Sequence, residues 1–249
     1  FGVGSFVVNY CCRDFYLIKK KNINIYALIV NKNHSSIKFF LKNGFLLKYK
    51  DKTKSEFVYR LNDSELKNLL TYTKSYKKYK YSYKSSQWGS KQSQEIRLKI
   101  ILNIINSYNK KKNFSVLDIG SGTGDFYKLL SKNKLQFKYE GIDNNHHVIQ
   151  DLIKKYKSIK LFQINSVYND YNFKNKNDFI IISGLFSYFN NKTSVYNLLK
   201  KMYISANTAV IFNCLLRQKN KKNNRDLTFE PKSILKQCKL YSKKNILID

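Results

Sequence analysis

Val116-Leu117-Asp118-Ile119-Gly120-Ser121-Gly122-Thr123-Gly124-Asp125 is an apolar run carrying an acid and leading into three glycines on alternate positions, and the helix-like FYKLLSK follows it. The run has the composition of a buried strand. Glycines at this spacing let the backbone turn tightly and approach a ligand where a Cβ would clash. The helix that follows points free N–H groups at whatever lies over its start. A dinucleotide fingerprint is spaced G-x-G-x-x-G, with a pyrophosphate over the helix. Here the spacing is D-x-G-x-G-x-G, so Asp118 faces a cation instead of a phosphate. The competing interpretation is an ordinary strand-to-helix turn.

Working outward, Tyr139-Glu140-Gly141-Ile142-Asp143 is a second short strand ending in an acid, with Asn144 beside it. A carboxylate there can accept both hydroxyls of a ribose, whichever nucleotide cofactor is bound. Strands and helical stretches then alternate. Residues 159–164 (IKLFQI) read as a third strand before Asn165-Ser166. Asp178–Ser183 is a fourth, almost wholly apolar as in a sheet covered on both faces, and it runs into Gly184-Leu185-Phe186. Thr208–Leu215 is a fifth, reached through a helix near Thr193–Tyr203 on which Val195, Leu198, Leu199 and Met202 share one face. This β-α-β series places ligand loops at the strand C-termini.

The D-x-G-x-G-x-G stretch with the acid at Asp143 resembles the class I S-adenosylmethionine (SAM) methyltransferases. Upstream, Ser86-Gln87-Trp88-Gly89-Ser90 followed by Gln94 and Arg97 on a helix running to about Ser107 is similar to the lead-in of a bacterial methyltransferase family, with Leu98 where that family has Phe. The likeness covers about residues 80–249. It implies a Rossmann-like α/β sheet and SAM as cofactor. Gly120, Gly122, Gly124 and Gly184 would line its site, Asp118 would reach the ammonium, Asp143 and Asn144 would hold the ribose, Asn165 and Ser166 would read the adenine, and Trp88 would cover the cleft. Asn165 departs from the Asp common in the family, and Trp88 also fits as a core anchor. The acceptor pocket is expected near Phe186, Tyr188 and Asn213, on topology alone.

Residues 1–62 carry a different pattern. Gly2 and Gly4 open a helical run over Phe6–Lys19, Asn24–Val30 reads as a strand, and Asn33 leads into SSIKFFLKNGF before a strand at Glu56–Leu61. This order resembles the C-terminal half of a GNAT N-acetyltransferase, a partial α+β segment in which Gly2, Gly4 and Asn33 would belong to an acetyl-CoA site. Phe40 stands where that superfamily often has its acid tyrosine, and no Arg precedes Gly2, so acetyl transfer is not expected of this segment. The sole methionine is Met202, and Asn245–Asp249 resembles the start of a last hairpin whose final strand is missing. The expected organisation is a fragment of a bifunctional protein: a GNAT-like segment over 1–62, a linker over 63–85 with one or two helical turns in Ser64–Tyr72, and a methyltransferase over 86–249.

Composition narrows the partners. No stretch approaches the roughly 18 consecutive apolar residues of a membrane span, and the opening lacks a signal-peptide pattern. Cys11, Cys12, Cys214 and Cys238 have no metal-ligand spacing, and reduced thiols in a cytoplasmic protein are expected. The net charge of +31 invites polyanions. Yet only Arg13, Arg60, Arg97, Arg217 and Arg225 among the 47 basic residues are the type suited to bidentate phosphate contacts, and the lysines are spread along the chain. Nucleic acid is therefore not favoured as the partner, and the pairing of a GNAT-like segment with a methyltransferase resembles enzymes that decorate sugars or nucleotide sugars for surface glycans, which implies a small-molecule acceptor bearing a hydroxyl or an amine. An RNA methyltransferase and a non-catalytic SAM-binding domain stay open as alternatives.

Overall fold

The computed structural model of the protein describes residues 3–61, 63–156, 160–163, 173, 176–189, 191–217 and 227–246. Five strands form one parallel sheet: β4 (Asn113–Ile119), β5 (Gln136–Asp143), β6 (Lys160–Gln163), β7 (Asn177–Ile182) and β8 (Ala206–Phe212), in the order β6-β5-β4-β7-β8. Side chains alternate across a strand, so an apolar run in the middle of a sheet feeds two cores at once. In β4 and β7, Val116, Phe179 and Ile181 face a cluster with Leu98, Ile101 and Ile105 of α4 (Lys91–Tyr108), Phe126 and Leu130 of α5 (Asp125–Lys132), and Leu152 of α6 (His146–Lys155). Their neighbours Leu117, Ile119, Ile180 and Ile182 face the other side, against Val195, Leu198, Leu199 and Met202 of α7 (Lys192–Ser205) and Ile234 of α8 (Pro231–Lys239). All six residues of β7 are buried.

The ends of the sheet differ in purpose. At the N-terminal tips, Asp178 locks β4 to β7: its Oδ2 accepts from the Ser115 backbone N–H at 2.9 Å, Ser115 Oγ accepts from the Asp178 N–H at 2.9 Å, and Lys111 pairs with Oδ1. The C-terminal tips carry the glycine loop and Asp143.

The first residues form their own layer. Helix α1 (Val3–Lys19) and helix α2 (His34–Lys42) accompany an antiparallel sheet of β1 (Ile25–Val30), β2 (Leu46–Lys50) and β3 (Lys54–Tyr59), in the order β1-β3-β2. Cys12, Tyr16, Ile29, Phe45, Phe57 and Tyr59 make a separate cluster. The expected linker is different in kind: α3 (Asp63–Tyr79) is a helix of 17 residues. Leu66 and Leu69 belong to the N-terminal cluster, whereas Tyr76 belongs to the α4–α6 face of the large sheet and donates to Asp151 Oδ2 of α6 at 2.6 Å. The Lys- and Tyr-rich composition concealed a helix because its apolar positions are few and are divided between two cores.

The expected elements form within a few residues of their anticipated ends. The strand at 159–164 is described only over Lys160–Gln163, and Asn165 and Ser166 lie outside the described residues. The expected fifth strand ends at Phe212, and Leu215–Leu216 instead forms β9, which pairs in parallel with β10 (Thr228–Phe229). Helix α8, not anticipated, begins at the chain's single proline, which suits the first turn because that N–H has no intrahelical partner. Asn245 and Ile246 carry no strand, and 247–249 lie outside the described residues. Among the described residues no helix is long and apolar enough to cross a membrane, and no group of three or more His, Cys, Asp or Glu is placed to hold a metal.

Candidate functional site

A cavity of about 440 Å³ opens at the C-terminal tips of the large sheet. Its floor is the glycine loop. The Gly120 and Ser121 N–H groups donate to Ile142 O at 2.8 and 3.0 Å, which folds the loop onto the tip of β5. Gly120, Gly122 and Gly124 all have positive φ. Gly122, at φ +50, has a second reason to lack a side chain: a Cβ there would stand 3.1 Å from Ser86 Oγ. Ser121, between the glycines, is buried and lines the cavity, yet among the described residues its Oγ has no hydrogen-bond partner. An unpaired buried hydroxyl costs about 1–3 kcal/mol, so its place in the loop suits a ligand that supplies the missing partner.

Two carboxylates stand on this floor. Asp143 ends β5, and its Oδ2 and Oδ1 accept from the backbone N–H groups of Gly122 and Asn145, both at 2.9 Å. A carboxylate offers about four acceptor sites, so these two bonds orient it and leave capacity for a diol. Burial raises its pKa, while the amides of Asn145, Gly122 and Asn144 and the Arg13 charge act the other way. Asp118, on β4, is 4% exposed, and the Tyr139 hydroxyl donates to its Oδ2 at 2.6 Å. Burial pushes Asp118 up to about 7 against that hydrogen bond, and the charges of Asp143 and Asp125 push in the same direction as burial. The first residue of the Tyr139–Asp143 stretch therefore opposes the effect of burial on the acid in the glycine stretch, a pairing that becomes visible only when β4 and β5 lie side by side.

The roof comes from the segment ahead of α4. A 3-10 turn at Tyr83–Ser86 and a left-handed Gln87 set Ser86 over Gly122 and Trp88 over Gly184. Gly184 follows β7 at φ +75, and a Cβ there would stand 3.2 Å from the Trp88 ring. Trp88 lines the cavity, and Arg97 stacks on its ring with the guanidinium 4.8 Å from the centroid. Helix α4 is fastened to the floor by Gln94 Nε2, which donates to Asp125 Oδ2 at 3.0 Å.

The three residues expected near an acceptor all line the cavity but differ in their surroundings. Phe186 lines the cavity but is fully buried among Phe189, Phe212 and Phe229. Asn213 braces the loop after β7, its Oδ1 accepting from Gly184 N–H at 2.8 Å and its Nδ2 donating to Ser183 Oγ at 3.0 Å. Tyr188 is the one of the three that meets the opposite wall, edge-to-face with Tyr72 at 5.2 Å. That wall was not foreseen. Glu65, Asn68, Tyr72 and Tyr76, at helical spacing on α3, line the cavity together with Arg13 of α1. A period-3.6 row of Glu65, Asn68, Tyr72 and Tyr76 running beside Leu66 and Leu69 was the available signal.

The residues expected to belong to an acetyl-CoA site fall in the N-terminal layer. Gly2 lies outside the described residues, Gly4 is in the first turn of α1, and Asn33 caps α2, its Oδ1 accepting from Ser36 N–H at 3.0 Å.

A parallel sheet with a glycine loop and an acid at adjacent strand tips defines a Rossmann-like nucleotide-cofactor-binding protein. Residues 110–246 match the family described as methyltransferase domain, and the chain belongs to that family. Among solved structures it is similar to a SAM-dependent methyltransferase from Leishmania major, with a TM-score of 0.55 and 17% identity over 72% of this chain and 76% of that one. It is also similar to magnesium protoporphyrin IX methyltransferase from Synechocystis PCC 6803 with bound SAH, with a TM-score of 0.50 and 10% identity over 59% of this chain and 72% of that one. At these identities the likeness is one of fold. No curated protein matches the chain by sequence.

Proposed function

We propose that the chain uses SAM to methylate a small hydroxyl- or amine-bearing acceptor, with a sugar or nucleotide sugar for surface glycans as the first choice. The observation that carries this is the floor of the cavity, where three left-handed glycines and the unpaired Ser121 hydroxyl lie beside the buried Asp118 and the half-buried Asp143 carboxylates. SAM supplies a methyl group on a sulfonium, which an acceptor displaces in line. The chain's own task is then to hold both molecules at near-attack distance and keep water out. Gly120, Gly122 and Gly124 line the methionine part, with Gly184 bordering it. Asp118, once ionised, faces the ammonium. Asp143, pre-oriented by two amides, takes the ribose hydroxyls with Asn144 beside it. Asn165 and Ser166, which lie outside the described residues, are assigned to the adenine by the family resemblance alone. Trp88 and Ser86 form the roof, and Tyr188 with the polar face of α3 borders the acceptor. A cavity of about 440 Å³ is on the scale of small-molecule sites, which supports a cofactor of SAM's size.

For residues 1–62 we retain the GNAT-like origin, supported by the order of helix, strand, Asn-capped helix and strand pair. Its present part is structural. A cytoplasmic location and a longer bifunctional protein belong to the same proposal. The test is titration calorimetry with SAM at ~150 mM salt, where surface charge is screened, alongside Asp143→Ala. Micromolar binding that weakens at least ~10-fold in the variant, a loss of about 1.4 kcal/mol, supports the site; no binding by the folded chain refutes it. Binding without turnover on any sugar, amine or RNA acceptor would select the non-catalytic alternative.

A further inference from the structure

The cavity is not enclosed by the family-matched part of the chain alone. Arg13 of α1 lines it, and this residue stands far ahead of residues 110–246. Its place follows from the packing of its helix. Cys12 and Tyr16, one turn apart, belong to the N-terminal cluster, and the Tyr16 hydroxyl donates to Ile23 O at 2.6 Å. Arg13, next to Cys12, falls at the joint between the N-terminal layer and the large sheet, where it is 1% exposed. The charge of Arg13 acts on Asp143, and that of its neighbour Asp14 acts on His147 in the first turn of α6. This turn of α1 therefore borders the segment that leads from the tip of β5 into α6.

A guanidinium keeps its charge at any ordinary pH, and a charge taken out of water is costly unless an opposite charge faces it. Of the two carboxylates on the floor, Arg13 acts on Asp143, whereas Asp118 answers to Tyr139, Asp143 and Asp125. The cavity's other ionisable side chains come from different elements: Glu65 and Tyr76 from α3, Arg97 from α4 and Asp125 from α5. We propose that Arg13 is the counter-charge to Asp143 and a positioning residue of the cofactor site, so that the N-terminal layer completes the ribose end of the cleft. The inference rests on the SAM reading and deepens it. Asp143 accepts from both ribose hydroxyls only as a carboxylate, burial works against that form, and two backbone amides orient it without supplying a full charge. Arg13 supplies the charge and acts through Asp143, touching no reacting atom. The structural part of residues 1–62 thereby acquires a definite target.

The test follows 5′-methylthioadenosine, which keeps the adenosine and lacks the ammonium and carboxylate of SAM, so that Asp118 meets no ligand charge. Titration calorimetry on the full chain, from about pH 5 to about pH 8.5, compares the parent with Arg13→Met, which is uncharged and suits a buried place. Affinity that depends on ionised Asp143 is lost as pH falls through its pKa, and without the counter-charge the loss sets in at higher pH. Arg13→Met should move this acid limb up by roughly one pH unit, weakening binding up to ~10-fold there and by less than about twofold at about pH 8.5. Arg13→Lys, which keeps the charge, should retain the parent profile. Arg13→Gln supplies the same contrast if the methionine variant unfolds. Equal weakening at every pH would overturn the inference by assigning Arg13 to packing, and so would an unchanged profile or a lysine variant that behaves like the methionine one. Failure of the unsubstituted chain to bind either methylthioadenosine or S-adenosylhomocysteine would remove the cofactor reading itself.

Discussion

Asp118 carries the most consequential chemistry of any single residue. Its ordinary value of 3.8 rises to about 7 in the fold, so between these values the folded state binds a proton that the unfolded state has lost. Stability therefore falls as pH rises from about 4 to 7, by up to ~4 kcal/mol on a shift of about three units. Asp118→Asn should be more stable than the parent at pH 8 and similar to it near pH 4, measured by urea unfolding at both pH values. A cationic group bound beside Asp118 favours the ionised form, so SAM affinity should rise with pH to about 7 and then level, whereas the Asn variant should give a flat profile. A flat profile in the parent would separate Asp118 from the ammonium. None of this is legible in D-x-G-x-G-x-G alone. The motif shows an acid, but Tyr139 and the depth of burial enter only through strand pairing.

At the scale of elements, α3 decides how the two parts of the chain relate. Leu69 is 1% exposed within the N-terminal cluster, while Tyr72 and Tyr76 on the same helix border the cavity. Leu69→Ala should cost about 2–5 kcal/mol in denaturant unfolding, and Lys67→Ala, on the exposed side, less than ~0.5 kcal/mol. Equal, negligible effects would return 63–79 to the status of a linker. The parallel strands β4, β5 and β7 were legible because long apolar runs ending in Gly or Asp have few other readings. The helix α3 was not, since four lysines and three tyrosines among its 17 residues blur the period of a helix that serves two cores and a cavity. Helix α8 and the β9–β10 pair escaped notice for a related reason: short elements held by tertiary contacts carry little local pattern.

Over the whole molecule, the charge of +31 and the site obey different physics. The surface lysines interact through solvent and are screened within about 8 Å at physiological salt, whereas Asp118, Asp143 and the glycine loop act inside a cavity at the tips of the large sheet. Retention on an RNA or heparin column should therefore collapse between ~50 and ~300 mM salt, while SAM affinity should change by less than about threefold. A SAM affinity that fell in step with RNA retention would make the cofactor signal an electrostatic artefact. Trp88 adds a property of another kind. It is the only tryptophan among 249 residues and lies against Gly184 beneath the Arg97 guanidinium. The protein thus carries one indole chromophore at the rim of its cleft, and light absorbed by that ring alone reports, without any label, on whatever enters beside it.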